Sequence, residues 1–172
     1  MAGVLRCCGA WDKKSVISFL IVADGELCDR IYEAIQVNVR NRGYAIAVHK
    51  CESVTDILEA KPDLHVDFVI FAFDSKVTTS VRKVEDNIRL LDEFFIISGR
   101  VCLVNCYGES NTMGLSCHKA NGLSEKFCLK LYSANIYETN GMKDLGERIL
   151  NYSEALTGVS GEVPNLDILI SL

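Results

Sequence analysis

Val66-Asp67-Phe68-Val69-Ile70-Phe71-Ala72-Phe73 is an apolar run of strand length, rich in Val and Phe and broken only at Asp67. A run without polar alternation suits a strand covered on both faces, as in a parallel sheet. Asp74 and Ser75 close it. Val81, Val84, Ile88, Leu91 and Phe95 then recur at three- and four-residue steps, with Arg82, Glu85, Asp86, Arg89 and Asp92 on the opposite face. This spacing predicts one helix, stopped by Gly99. Val101-Cys102-Leu103-Val104 is a second short buried strand. Two parallel strands need such a crossover, and its hand is almost always right-handed. The stretch therefore predicts an α/β fold class, a three-layer sandwich built on a mostly parallel sheet.

The flanking elements fit around that unit. Met1 to Lys14 reads as a flexible lead-in. Ser15 to Ala23 is the first strand, and Asp24 stands where an N-cap belongs. Leu27, Ile31, Ile35 and Val39 predict a helix ending at Gly43, and Tyr44 to Val48 a second strand. Between His49 and His65 the pattern is ambiguous, with a short helical turn at Val54, Ile57 and Leu58 ended by Pro62. A polar loop follows from Asn105 to Met113, then a helix over about Ser116 to Phe127, weakened by Gly122, and a strand over Cys128 to Tyr132. Met142, Leu145, Ile149, Tyr152 and Leu156 form the stripe of a last long helix, ended by Gly158 and Gly161. The organisation read from this is a lead-in over 1–14, one domain over 15–157, and an apolar tail over 158–172.

Composition narrows the classes of function. At 172 residues, 49% of them apolar and only two proline, the chain can bury a proper core. Its formal charge of −5 supplies no basic field for nucleic acid or an anionic membrane. Ser15 to Ala23 is too short to span a bilayer, and Met1 to Trp11 carries no long apolar signal core, so the expected setting is intracellular. Of the eight cysteines, none forms a Cys-x-x-Cys pair, and neither His49 nor His118 has a partner at ligand spacing. Reduced, mostly buried thiols and no metal site are expected. The adjacent Cys7 and Cys8 lack the basic cluster that would strengthen a lipidation reading.

The order of elements matches that of small GTPases, so the first turn is the test. A phosphate loop needs Gly-x-x-x-x-Gly-Lys-Ser/Thr, whose amides wrap phosphates while the Lys neutralises them and the hydroxyl holds magnesium. Here the turn reads Ala23-Asp24-Gly25-Glu26-Leu27-Cys28-Asp29-Arg30. It lacks the Lys and the hydroxyl, and its three carboxylates repel a triphosphate. The guanine-reading Asn-Lys-x-Asp would fall at Asn105-Cys106-Tyr107-Gly108, where Gly108 replaces the Asp. Ser133-Ala134-Asn135 is a partial echo of the Ser-Ala-Lys loop. Asp24 and Asp74, both at strand ends, would suit the magnesium site of a phosphoacceptor receiver domain, but Cys106 to Gly108 supplies none of the lysine such a site needs. No Gly-x-Ser-x-Gly elbow occurs either. The residues read as a nucleotide-binding scaffold with degenerate loops: no catalytic residue, cofactor or nucleotide is expected. The alternative is an atypical switch with an unfamiliar phosphate site.

Phe94-Phe95 through Gly99-Arg100-Val101-Cys102-Leu103, Gly108-Glu109-Ser110 and Cys117-His118 resemble the centromere protein M family. So do Asp74-Ser75-Lys76 and the Val163-Pro164 that precedes the apolar tail. The resemblance runs from the first strand to Leu172. It is closest from Val66 to His118, and the turn after Ala23 is slightly shorter than the family's. It implies a small-GTPase-like fold that neither binds nor hydrolyses GTP, and a structural subunit of the inner kinetochore in the nucleus. It further implies direct contact with centromere protein I, in a complex with centromere proteins H and K.

Two stretches stand out as a partner surface. Phe94-Phe95-Ile96-Ile97 is more apolar than a helix end requires: Phe95 continues the core stripe, while Phe94 and Ile96 need not. The tail Leu166-Asp167-Ile168-Leu169-Ile170-Ser171-Leu172 is a chain end that must be buried, on its own domain or on a partner. The expected partner-binding residues are Phe94, Ile96, Ile97, Leu166, Ile168, Leu169 and Ile170.

Overall fold

The unbroken apolar run proves to be the middle of a sheet. In the computed structural model, which describes residues 5–7, 16–40, 42–77, 79–107 and 115–159, the elements follow in the order β1 (Arg6–Cys7), β2 (Val16–Val22), α1 (Gly25–Val39), β3 (Ala45–Cys51), α2 (Val54–Ala60), β4 (His65–Val66), β5 (Phe68–Phe73), α3 (Ser80–Ile88), α4 (Glu93–Ile97), β6 (Val101–Asn105), α5 (Leu115–Phe127), β7 (Lys130–Ser133) and α6 (Thr139–Thr157). Among these residues the main sheet has five strands, all parallel, in the order β3-β2-β5-β6-β7.

Successive connections run outward from β2 to β3 and then back across to β5, β6 and β7. With right-handed crossovers, connections that travel in opposite directions cover opposite faces. The packing follows that rule. Ile17, Phe19, Ile21, Phe68, Ile70 and Ala72 pack under α1 and α6, whereas Leu20, Val22, Val69, Phe71 and Phe73 pack under α2, α3, α4 and α5. The result is the three-layer α/β sandwich that the apolar pattern predicts.

Asp67, the polar break in the organising run, separates β4 from β5. Its carboxylate accepts a hydrogen bond from the Ser18 amide at 3.0 Å, and its own amide donates to the Ser18 carbonyl at 2.8 Å. The break is thus a clamp that holds β5 against β2.

Several local expectations are corrected. The stripe from Val81 to Phe95 is two helices, not one: α3 ends at Ile88, and the Asp92 carboxylate accepts from the Phe94 amide at 2.9 Å to cap α4. Leu91, between them, is drawn into a parallel bridge with Leu5. The lead-in reading does not hold for Leu5 to Cys7. Leu5 is buried, and Arg6 and Cys7 pair with His65 and Val66. Three residues are too few to display a period, so this edge carries no sequence signal. Asp24 sits at the N-cap position of α1, but its carboxylate makes no capping bond and pairs with Lys83 instead, at 3.3 Å. Asn87 supplies an unforeseen support for α2: its side-chain Oδ1 accepts from the Val54 amide at 2.6 Å. The final strand begins at Lys130 rather than Cys128, because Cys128 turns the chain with φ of 52° after α5.

Helices α1 and α6 approach closely at Gly146. A Cβ there would lie 2.0 Å from the Ala34 carbonyl oxygen. Asn38 stitches the same crossing, donating from Nδ2 to Ala34 O at 2.8 Å and to Lys143 O at 2.9 Å. Gly146→Ala must therefore push the helices apart. It is expected to lower stability by about 3 kcal/mol, the upper end for overpacking, read as a lower denaturant midpoint by circular dichroism. An unchanged midpoint would show that the crossing yields freely. The opposite sign is expected at Cys128, where a non-glycine residue occupies the left-handed region. Cys128→Gly should raise stability by about 1 kcal/mol in the same assay, and a lower midpoint would mean the turn is held by more than its φ angle.

Candidate functional site

In an open parallel sheet, ligands settle beyond the carboxyl ends of the strands, where the strand order reverses. Here that point lies between β2 and β5. The residues around it are Ala23 to Glu26 from the first strand's turn and Asp74 to Val77 from the second's.

The chain's own side chains cross this edge. Lys76 Nζ stands 3.3 Å from the Tyr107 ring centroid. Tyr107 and Tyr137 meet at 5.6 Å between centroids with their planes tilted by 51°. The Arg30 guanidinium, on α1, lies over Tyr137 at 5.7 Å. This ladder ties the turn after β5 to α1 by way of the segments after β6 and β7. Burial raises the Tyr137 phenol above its ordinary range, with the charges of Glu26 and Asp74 adding to the rise.

The polar groups at the edge are also engaged. Asp74 Oδ1 accepts from the Lys76 amide at 2.7 Å, an Asx turn, and its carbonyl accepts from Ser80 Oγ at 2.7 Å. The Cys28 thiol occupies the space under the first turn and donates to the Ala23 carbonyl at 3.2 Å. Gly25 makes no close approach to another element; a Cβ there would find only Glu52 Oε1, at 3.9 Å. Asn105, the retained residue of the base-reading loop, is buried, and its Oδ1 accepts from the Tyr107 amide at 3.3 Å. Gly108 lies outside the described residues. In the echo of the third loop, Asn135 accepts from the Tyr137 amide at 3.2 Å and donates to Glu138 at 2.8 Å. Each loop side chain thus organises its own turn.

A lone thiol is a nucleophile only as thiolate. Burial pushes Cys106 and Cys51 up to about 12 and drives Cys28 and Cys102 in the same direction. Cys128 differs from the expectation of burial, since it is exposed. Among the described residues, no cluster of His, Cys, Asp and Glu could hold a metal ion, and no helix is long and apolar enough to cross a membrane.

The apolar edge read from the sequence divides. Phe95 is fully buried and Ile96 is half-buried against the core, while Phe94 is 46% exposed and Ile97 81% exposed. Arg100 lies over the Phe94 ring at 5.8 Å. Gly99, with φ of 68°, turns the chain out of α4 and against the last turns of α6: a Cβ there would meet the Tyr152 hydroxyl at 3.1 Å and Leu156 at 3.8 Å. The α4 edge therefore adjoins the helix from which the tail departs. Leu166, Ile168, Leu169 and Ile170 lie outside the described residues.

The Tyr107–Tyr137 ladder was missed by reading the sequence, because its members come from four separate segments. The available signal was a tyrosine shortly after each of two neighbouring strands, at the positions where an open sheet would hold its ligand. Neither the models of known protein families nor the curated proteins give a match to this chain.

The thiol environments lead to a direct test. An alkylating reagent should modify the exposed Cys128 and leave the buried Cys102 and Cys106 unmodified in the folded protein, as read by peptide mass spectrometry. Labelling of Cys102 at the rate of Cys128 would show that β6 opens readily.

Proposed function

We propose that the chain is a non-catalytic, small-GTPase-like subunit of the inner kinetochore that binds and stabilises centromere protein I, in a complex with centromere proteins H and K. The kinetochore assignment rests on the resemblance of the Phe94 to Leu103 stretch, Asp74-Ser75-Lys76 and the Val163-Pro164 tail to the centromere protein M family. The non-catalytic part rests on one observation above the others. The crevice at which an open α/β sheet holds its ligand is crossed by the Lys76–Tyr107–Tyr137–Arg30 ladder, above a first turn carrying Asp24 and Glu26 and no phosphate-binding Lys.

The partner surface is the edge of α4. Stable interfaces place apolar anchors at their centre and a polar rim around them. Ile97 is the best anchor, because a side chain 81% exposed contributes little to the isolated fold. Ile96 contributes to both the edge and the core, and charging it costs stability.

Two measurements test this reading. Calorimetric titration with GTP and magnesium should give no saturable heat at high micromolar protein. Co-expression with centromere proteins I, H and K should yield a co-purifying complex, and Ile97→Asp should weaken capture at least about tenfold, as expected for an interface anchor, with an unchanged circular dichroism spectrum. Saturable, magnesium-dependent nucleotide binding would favour the switch instead. Undiminished capture by the Ile97 variant would move the contact off α4.

A further inference from the structure

A groove of about 360 Å³ runs between α3 and α5, lined by Val81, Arg82, Glu85, Lys119, Gly122, Leu123 and Lys126. It lies on the sheet face opposite α1 and α6 and uses none of the α4 edge.

Its charge runs against that of the chain. The formal charge of the protein is −5, yet among the described residues the groove carries three cations and one carboxylate. That carboxylate is already covered: Glu85 accepts from Lys126 Nζ at 2.9 Å and from Arg89 at 2.9 Å. Arg82 and Lys119 are exposed and have no acidic partner among the described residues. Two cations thus face the groove unneutralised.

Gly122 is the second observation. A glycine inside a helix lowers stability by about 0.5–1 kcal/mol relative to alanine. Usually a close neighbour or a left-handed φ explains one. A Cβ at Gly122 would meet nothing within 4 Å, and its φ is not in the left-handed region. Nothing inside the fold requires it. Its effect is to deepen the groove beside Leu123 and let another backbone come close. The walls are helices, with backbone groups already paired along their length, so strand addition has no free edge here. A third helix is the element that packs between two others.

We propose that this groove docks an acidic amphipathic helix of a partner protein, its backbone close to Gly122 and its carboxylates paired with Arg82 and Lys119. This stands independently of the kinetochore reading, since it rests only on the charge and shape of α3 and α5.

The test is ¹⁵N-resolved NMR titration of the full chain with a capped peptide of about 15 residues, about four helical turns, carrying a Leu stripe flanked by Glu. The control peptide carries Lys in place of Glu. The Glu peptide should shift amides of α3 and α5, including Arg82, Lys119 and Gly122, and bind less tightly as salt rises. Arg82→Glu with Lys119→Glu should weaken it at least about tenfold. Gly122→Leu, which fills the groove without changing charge and favours the helix, should weaken it comparably. Several outcomes would overturn the proposal: no shifts at millimolar peptide, equal binding of the Lys peptide, shifts centred elsewhere, or tight binding retained by the Gly122 variant. The same shifts from a single-stranded oligonucleotide would assign the groove to nucleic acid. The same shifts from raising protein concentration alone would assign it to a second copy of the chain.

Discussion

Strand β5 has no exposed residue. All six side chains from Phe68 to Phe73 are buried, so both faces need helices and both edges need strands to satisfy the peptide groups. β2 and β6 supply the edges. α1 and α6 cover Phe68, Ile70 and Ala72; α2 to α5 cover Val69, Phe71 and Phe73. Burying each such side chain contributes about 1.5–3 kcal/mol. Exposed ion pairs such as Lys50–Asp29 contribute roughly 0–1 kcal/mol each. Two-sided burial of one strand therefore decides the architecture, and Asp67 supplies its register by exchanging two hydrogen bonds with Ser18.

Two-sided coverage has a structural consequence. Helices on both faces require the connections to reverse direction, and the reversal opens a crevice between β2 and β5 at the carboxyl edge. Ligand-binding members of this architecture leave that crevice open. In this chain an aromatic pair and two cations stand at that edge. An aromatic pair contributes about 0.5–1.5 kcal/mol and an exposed cation–π contact about 0.5–1 kcal/mol. The ladder is weak beside the sheet, so the fold does not depend on it.

What could be read from the sequence follows from the range of the forces involved. Periodic burial is a local signal: β5, β6, α1 and α6 stand out because Val69, Ile70, Leu103, Ile31 and Ile149 repeat at the spacing of their own element. Where a tertiary contact competes, the local signal misleads. Val81 to Phe95 keep helical spacing throughout, yet Leu91 is claimed by Leu5 and Asp92 starts a new helix. The loop readings at Asp24 and Gly108 rest on residue type at fixed offsets, which needs no tertiary contact. The ladder and the groove carry no such local signal, because Tyr107 meets Tyr137, and Arg82 and Lys119 come to line one groove, only after the sheet has formed.

The distribution of chemistry over the surface sharpens the distinction between a ligand site and docking surfaces. Asp24, Glu26 and Asp74 stand at the carboxyl edge, together with Lys76 and Arg30. Arg82 and Lys119 face a helical groove, and Ile97, the most exposed large apolar side chain among the described residues, ends α4. Cation and apolar anchor both project from helices packed on the same buried sheet face, rather than from loops. The backbone of such supports is already ordered before anything binds. A partner then need not order a loop, although the exposed Arg82, Lys119 and Ile97 side chains still lose freedom, at about 0.5–1.5 kcal/mol per immobilised side chain. Both candidate docking surfaces therefore stand on regular helices rather than on loops.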